Sequence, residues 1–283
     1  MTHGTNFLAT FARAFVALTA LSLGLAIVGC GRGGTPDRDS ASASVGGAAS
    51  AGRAPASGAH FRTQKAPPEP ALRYLTFQLG GAREEEELPL LIAVHGLGDT
   101  PQNFSRWLLS LDLKLRLVVP EAPDPYGHGY SWFPYREHRT EHELATGIAA
   151  SRDRLERLLE QLERRFPTRG KPAVLGFSQG GMLSFALAAH TPERWSLVMP
   201  LGGLLPRELE PAPMATPQTR PEVVAFHGTE DRLVPFAAAK ATSERLSKLG
   251  YVLHFHSYPG VGHQIPPSMR DAVFARLKEW AEP

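Results

Sequence analysis

Ser178 stands between Gly176 and Gly180 in the run VLGFSQGGM, residues 174–182. A serine hydroxyl is a weak nucleophile until a base takes its proton, and that base must itself be held by a third group. Gly-x-Ser-x-Gly answers the geometric half of that need. Its small residues let a strand and the following helix close on a sharp turn that exposes the serine. Taken alone, the same residues describe a plain strand-to-helix turn, so an acid and a base must follow in chain order. HGTEDRLVP, residues 227–235, comes after an apolar run and offers Glu230 and Asp231. PGVGHQ, residues 259–264, presents His263 on a glycine-bearing loop. Among the other histidines, His254 and His256 alternate onto one face of a strand-like run, and His227 closes a strand where it shapes the turn. His263 is the base that a loop can bring over the serine.

Acyl transfer also needs N–H donors aimed at the oxyanion that develops. The turn supplies one, the backbone amide of Gln179. HGLGDT, residues 95–100, ends another apolar run and is the natural source of a second.

These residues need a scaffold that gathers strand ends. Strand-like runs are read at 72–79, 88–96, 115–123, 172–177, 195–203, 222–228 and 252–259. Leucines at helical spacing predict an amphipathic helix over 142–166, before Pro167, and further helices are expected near 181–190, 235–249 and 267–281. Apolar strands alternating with helices predict an α/β fold, a doubly wound and mostly parallel sheet with helices on both faces. Ligand sites in such sheets form at the carboxyl ends of strands, where every motif above lies.

HGLGD, GFSQGG, HGTEDRLVP and GVGH, in that order, resemble the phospholipase/carboxylesterase family of α/β-hydrolases, which includes the acyl-protein thioesterases. The resemblance runs from residue 72 to residue 281. It implies an α/β-hydrolase fold with Ser178 as nucleophile, Asp231 as the acid, His263 as the base, and the amides of Leu97 and Gln179 as the oxyanion hole. YSWFP, residues 130–134, resembles an element that borders the family's substrate cleft, which makes Trp132 and Phe133 expected substrate-binding residues. An aromatic pair packed under a loop is the other reading of the same residues. The activity implied is that of a serine carboxylesterase without a cofactor. Lysophospholipid or thioester cleavage at the same site is the alternative. Neither of the long connections, 120–141 and 202–221, is long enough for a separate cap domain, so short and medium acyl esters are the expected substrates.

Other classes find less support. A formal net charge of +2 over 283 residues leaves no basic stripe for nucleic acid. A single cysteine excludes an internal disulfide and a thiolate metal cluster. HRTEH, residues 138–142, fits the H-x-x-E-H metal motif, but its surroundings are polar, and Thr140 reads better as the cap of a surface helix. No metal is expected. A catalytically inactive binding module would show a broken set of residues, and none is missing.

The N-terminal segment is of another kind. Residues 14–28 are uncharged and largely apolar after Arg13, too short a run to span a bilayer comfortably. The run ends in IVGC and resembles a bacterial lipobox, which implies a signal peptide over 1–29 and lipidation of Cys30. Residues 30–70, rich in Gly, Ala, Ser and Pro, are expected to form a flexible tether, with the catalytic domain over 71–283. The protein is thus expected to be exported and lipid-anchored to a bacterial membrane, its body in the periplasm or outside the cell.

Overall fold

The structure, a computed structural model, describes residues 71–134, 140–212 and 220–282. The signal, Cys30 and the tether lie outside the described residues, as does His138 of the H-x-x-E-H motif. The elements run β1 (Tyr74–Gln78), β2 (Leu90–Val94), α1 (Pro101–Ser105), β3 (Arg116–Pro120), β4 (Asp124–Tyr126), β5 (Gly129–Ser131), α2 (Glu141–Arg165), β6 (Ala173–Phe177) and α3 (Gln179–His190). They continue with β7 (Leu197–Leu201), β8 (Glu222–Gly228), α4 (Phe236–Lys248), β9 (Leu253–Tyr258) and α5 (Pro267–Ala281).

Seven strands form one sheet in the order β1-β3-β2-β6-β7-β8-β9. Every pairing is parallel except that of β1 with β3. All five residues of β2, of β3 and of β7 are buried, as expected of strands covered on both faces. Alternation along each strand divides the core in two. Ile92, Val118, Val174, Val198 and Val223 face one apolar cluster with side chains from α2, α3 and α4. Leu91, Leu117, Leu175, Met199 and Val224 face the other, with Phe104 of α1 and Met269, Val273 and Leu277 of α5. The expected α/β-hydrolase architecture is present.

Local chemistry sets the longest helix. Thr140 caps α2, its Oγ1 accepting the Glu143 N–H at 3.1 Å while Glu143 accepts the Thr140 N–H at 2.8 Å. Leu144, Ile148, Leu155, Leu159 and Leu162 form its buried stripe. By contrast α3 is buried along nearly its whole length, and Gln179 through Ala189 are all inside. Among the described residues no helix is long and apolar enough to cross a membrane.

Two features went unread in the sequence. The connection after β3 folds into the small antiparallel hairpin β4–β5, turning at Gly127, and a one-turn helix occupies Pro101–Ser105.

Candidate active site

β6 ends at Phe177 and α3 begins at Gln179, so a single residue makes the turn between strand and helix. That residue, Ser178, has φ 57° and ψ −114°, the only positive φ of a non-glycine residue among those described. Such backbone costs energy and persists where the surroundings over-determine it. Here the Ser178 N–H donates to the Leu201 carbonyl at 2.9 Å, and its own carbonyl accepts the Met182 N–H at 3.0 Å. The closeness of the chain does the rest. A methyl group on Gly180 would stand 2.0 Å from the Val94 carbonyl oxygen, so only glycine lets α3 start against the end of β2.

The carboxylate that meets His263 comes from the turn after β8. Asp231 is buried, its Oδ1 accepting the N–H groups of Leu233 at 2.9 Å and Val234 at 2.8 Å. Its Oδ2 lies 2.7 Å from His263 Nδ1 and 3.4 Å from His227 Nε2. Burial alone would raise this carboxyl. The hydrogen bonds from His227, His263 and the Val234 amide outweigh it and hold the group well below the usual carboxylate range. Glu230, its neighbour, is exposed, and its backbone N–H ties the turn to the Val261 carbonyl at 2.9 Å. Of the two adjacent acids, Asp231 is the one that contacts the histidine.

His263 follows β9, on a loop that packs against the end of β8. A methyl on Gly228 would fall 2.2 Å from the Val261 carbonyl oxygen, so that glycine admits the loop. The ring lies against Phe177, centroids 4.7 Å apart, and His263 Nε2 stands 2.8 Å from Ser178 Oγ. One tautomer satisfies both contacts: Nδ1–H donates to Asp231 and Nε2 accepts the serine proton. His227, expected to shape its turn, does so by donating Nε2–H to the Val234 carbonyl at 2.8 Å. His254 and His256 are both exposed on β9, on the same face.

The HGLGDT loop adjoins the serine from the other side. A methyl on Gly96 would be 3.3 Å from Ser178 Cβ, and neither the Leu97 nor the Gln179 N–H has a hydrogen-bond partner among the described residues. His95, unassigned from the sequence, anchors this loop. Its Nδ1 donates to the Gly96 carbonyl at 2.7 Å and its Nε2 accepts the Ala122 N–H at 3.2 Å. Burial pushes the imidazole down, against the pull of Gly96, Asp99 and Glu121, so the ring stays neutral and keeps that tautomer. The loop is also joined to β5, where the Gly98 N–H donates to the Tyr130 carbonyl at 2.8 Å.

Trp132 and Phe133 require a correction. They are 1% and 2% exposed and pack in the core cluster with α2 and α3, so they line no open cleft. Their identity as large apolar residues on a short loop does not specify which way they face, and here burial wins. Their role is to hold the site from beneath. Trp132 Nε1 donates to the His95 carbonyl at 2.9 Å. The Gln179 side chain accepts the Trp132 N–H at 2.9 Å and donates to the Phe133 carbonyl at 3.1 Å. This amide clip was not foreseen; a long polar side chain buried at the first position of α3, next to the serine, was its signal.

The described part of the H-x-x-E-H motif is engaged elsewhere. His142 contacts Glu208 at 2.7 Å, and Glu141 accepts the Arg207 N–H at 3.2 Å.

The chain is similar to known proteins over most of its described body. The acyl-protein thioesterase 1 of Gibberella zeae is 27% identical over 213 residues, covering 68% of this chain and 91% of that protein. The acyl-protein thioesterase 1 of Debaryomyces hansenii is 31% identical over 193 residues, 61% of this chain and 83% of that protein. Among solved structures, esterase PE8 superposes with a TM-score of 0.64 at 23% identity, over 74% of this chain and 99% of its own, which shows the shared fold. Residues 81–281 match the phospholipase/carboxylesterase family, most of the chain, so this protein belongs to that family of α/β-hydrolases and is a serine hydrolase.

Proposed function

We propose that the protein is a serine carboxylesterase acting on short to medium acyl esters. The contact chain Ser178 Oγ–His263 Nε2 at 2.8 Å and His263 Nδ1–Asp231 Oδ2 at 2.7 Å, hung on a strained serine at a strand end, carries this reading. Ser178 Oγ attacks the acyl carbonyl carbon while His263 Nε2 takes its proton, and Asp231 stabilises the resulting imidazolium. The N–H groups of Leu97 and Gln179 receive the oxyanion. When the tetrahedral intermediate collapses, the bond to the leaving oxygen breaks and His263 returns the proton to that oxygen. Water, deprotonated by the same imidazole, then attacks the acyl-enzyme and releases the acid and Ser178. No step calls for a cofactor.

Thioester cleavage at this site is the second reading, favoured by the two relatives named acyl-protein thioesterase. An exported protein would meet few intracellular thioesters, and the ester reading is preferred for that reason. A fluorophosphonate probe should label the protein once, and Ser178→Ala should abolish the label. Labelling that survives in the variant overturns the assignment. Export itself rests on the IVGC run, and anchoring on Cys30. Membrane-fraction protein should become soluble or stay unprocessed in Cys30→Ser, and an unchanged distribution would refute the anchor.

A further inference from the structure

Beside His263 lies an open groove of about 590 Å³ whose walls come from three segments that also frame the serine. Asp99, Arg106 and Trp107 come from the loop and helix that follow Gly96, Phe177 precedes Ser178, and Gln264 and Arg270 follow His263. Two of these residues carry unneutralised charge. Arg106 and Arg270 are both exposed, and neither has an ion pair or side-chain hydrogen bond among the described residues. The one acid of the groove, Asp99, is held by neutral donors, its Oδ1 accepting the Thr100 N–H and the Asn103 amide, each at 2.8 Å, so the groove sets two guanidinium groups against one carboxylate. The segments that carry the two arginines are joined. Trp107, next to Arg106, stacks on Phe274 of α5, the helix that bears Arg270, with centroids 5.6 Å apart and planes 7° apart. The floor is therefore aromatic and the rim holds two cations.

We propose that this groove is the leaving-group subsite and that it selects esters whose alcohol portion carries an anion, a carboxylate or a phosphate. The proposal rests on the esterase reading above. Its direction follows from proton transfer: His263 must protonate the departing oxygen, so the alcohol portion departs on the His263 side, where Gln264 and Arg270 stand. An aromatic floor accepts the carbon skeleton, and a guanidinium pairs with a carboxylate or a phosphate through parallel N–H donors. Unpaired arginines in a solvent-open groove lose little hydration in waiting for such a ligand.

The test uses the purified protein with 4-acetoxybenzoate and its uncharged methyl ester, matched in size and acyl group, and reads the ratio of their kcat/KM values. Arg106→Ala and Arg270→Ala should each lower the anionic-to-neutral ratio about fivefold, chiefly through KM, and the double variant more. Added salt should compress the wild-type preference in the same sense. Arg164→Ala, an equal loss of charge far from the groove on α2, should leave the ratio where it is. A ratio indifferent to Arg106 and Arg270, while the neutral ester is still cleaved, overturns the subsite alone. Failure of the wild type to cleave either ester removes the esterase reading and this proposal with it. Mono-p-nitrophenyl succinate, with its carboxylate on the acyl side, gives the last arm: arginine dependence there and not with 4-acetoxybenzoate refutes the leaving-group assignment.

Discussion

A positive φ at a serine is a backbone cost held in place by its neighbours, and the cost is measurable separately from the chemistry. Ser178→Ala and Ser178→Gly both remove Oγ and its contact with His263, but only glycine relaxes at φ 57°. Ser178→Gly should therefore be more stable than Ser178→Ala by about 1 kcal/mol in urea unfolding, with neither variant labelled by fluorophosphonate. Equal stabilities would mean that the turn stores no strain. The acid offers a second separation. Asp231→Asn should lower kcat on the order of 10³- to 10⁴-fold, because the amide no longer holds the imidazole tautomer. Glu230→Gln, on an exposed side chain, should fall within a few-fold of wild type by the same steady-state assay. Stability adds a pH signature. The Asp231 carboxyl lies below its ordinary value of 3.8 in the folded protein, so the native state releases its proton more readily than the unfolded chain. Its stabilisation is complete above pH 3.8 and is lost as pH falls through the lowered value. The melting-temperature gap between wild type and Asp231→Asn should accordingly be constant near neutrality and shrink in acid.

Elements turn these side chains into a site, and here the sequence was legible to different depths. Apolar runs bounded by glycine and proline announced β2, β6, β7 and β8, because full burial on both faces leaves no other composition. The capped amphipathic pattern located α2 almost to the residue. The order serine, acid, histidine was equally readable, since each motif follows a strand and parallel strands end on one edge. What stayed hidden depends on tertiary direction. The hairpin β4–β5 is only three residues per strand, too short for a period to show, and the facing of Trp132 and Phe133 is decided by the helices they meet. So too the Gln179 clip, whose partners are 46 and 47 residues away in sequence. Its deletion is a test of the element scale: Gln179→Ala leaves the buried Trp132 N–H without its amide partner, while Ser131 Oγ still donates to the Phe133 carbonyl at 2.6 Å, and it keeps the backbone amide proposed for the oxyanion. A loss of about 1–3 kcal/mol in unfolding free energy is expected, with kcat reduced less than in Asp231→Asn. A variant as stable as wild type would mean that water or a rearranged loop replaces the clip.

At the scale of the whole molecule, both apolar clusters are assembled from residues within 72–281, so the body encloses its own core on either face of the sheet. The site opens on the carboxyl edge, with Ser178 half-buried and the His263 side chain 11% exposed, reachable without unfolding any described element. Above that edge the described connections are small. They comprise the β4–β5 hairpin, tied to the HGLGDT loop by the Asp99–Tyr130 bridge, and a single 3-10 turn at Arg207–Leu209. Neither carries the apolar surface that a folded cap would have to bury against the body. An enzyme whose nucleophile is reached through a separate lid turns over lipid only once an oil–water interface holds the lid open. This arrangement gives no such requirement. p-Nitrophenyl acetate and butyrate should be hydrolysed with hyperbolic dependence on concentration, well below any micellar threshold, and activity should fall towards the palmitate ester. The measurement is initial rate against concentration for each ester, with and without detergent. A sigmoidal onset at the solubility limit, or activity confined to emulsified long-chain lipid, would contradict a site open to solvent.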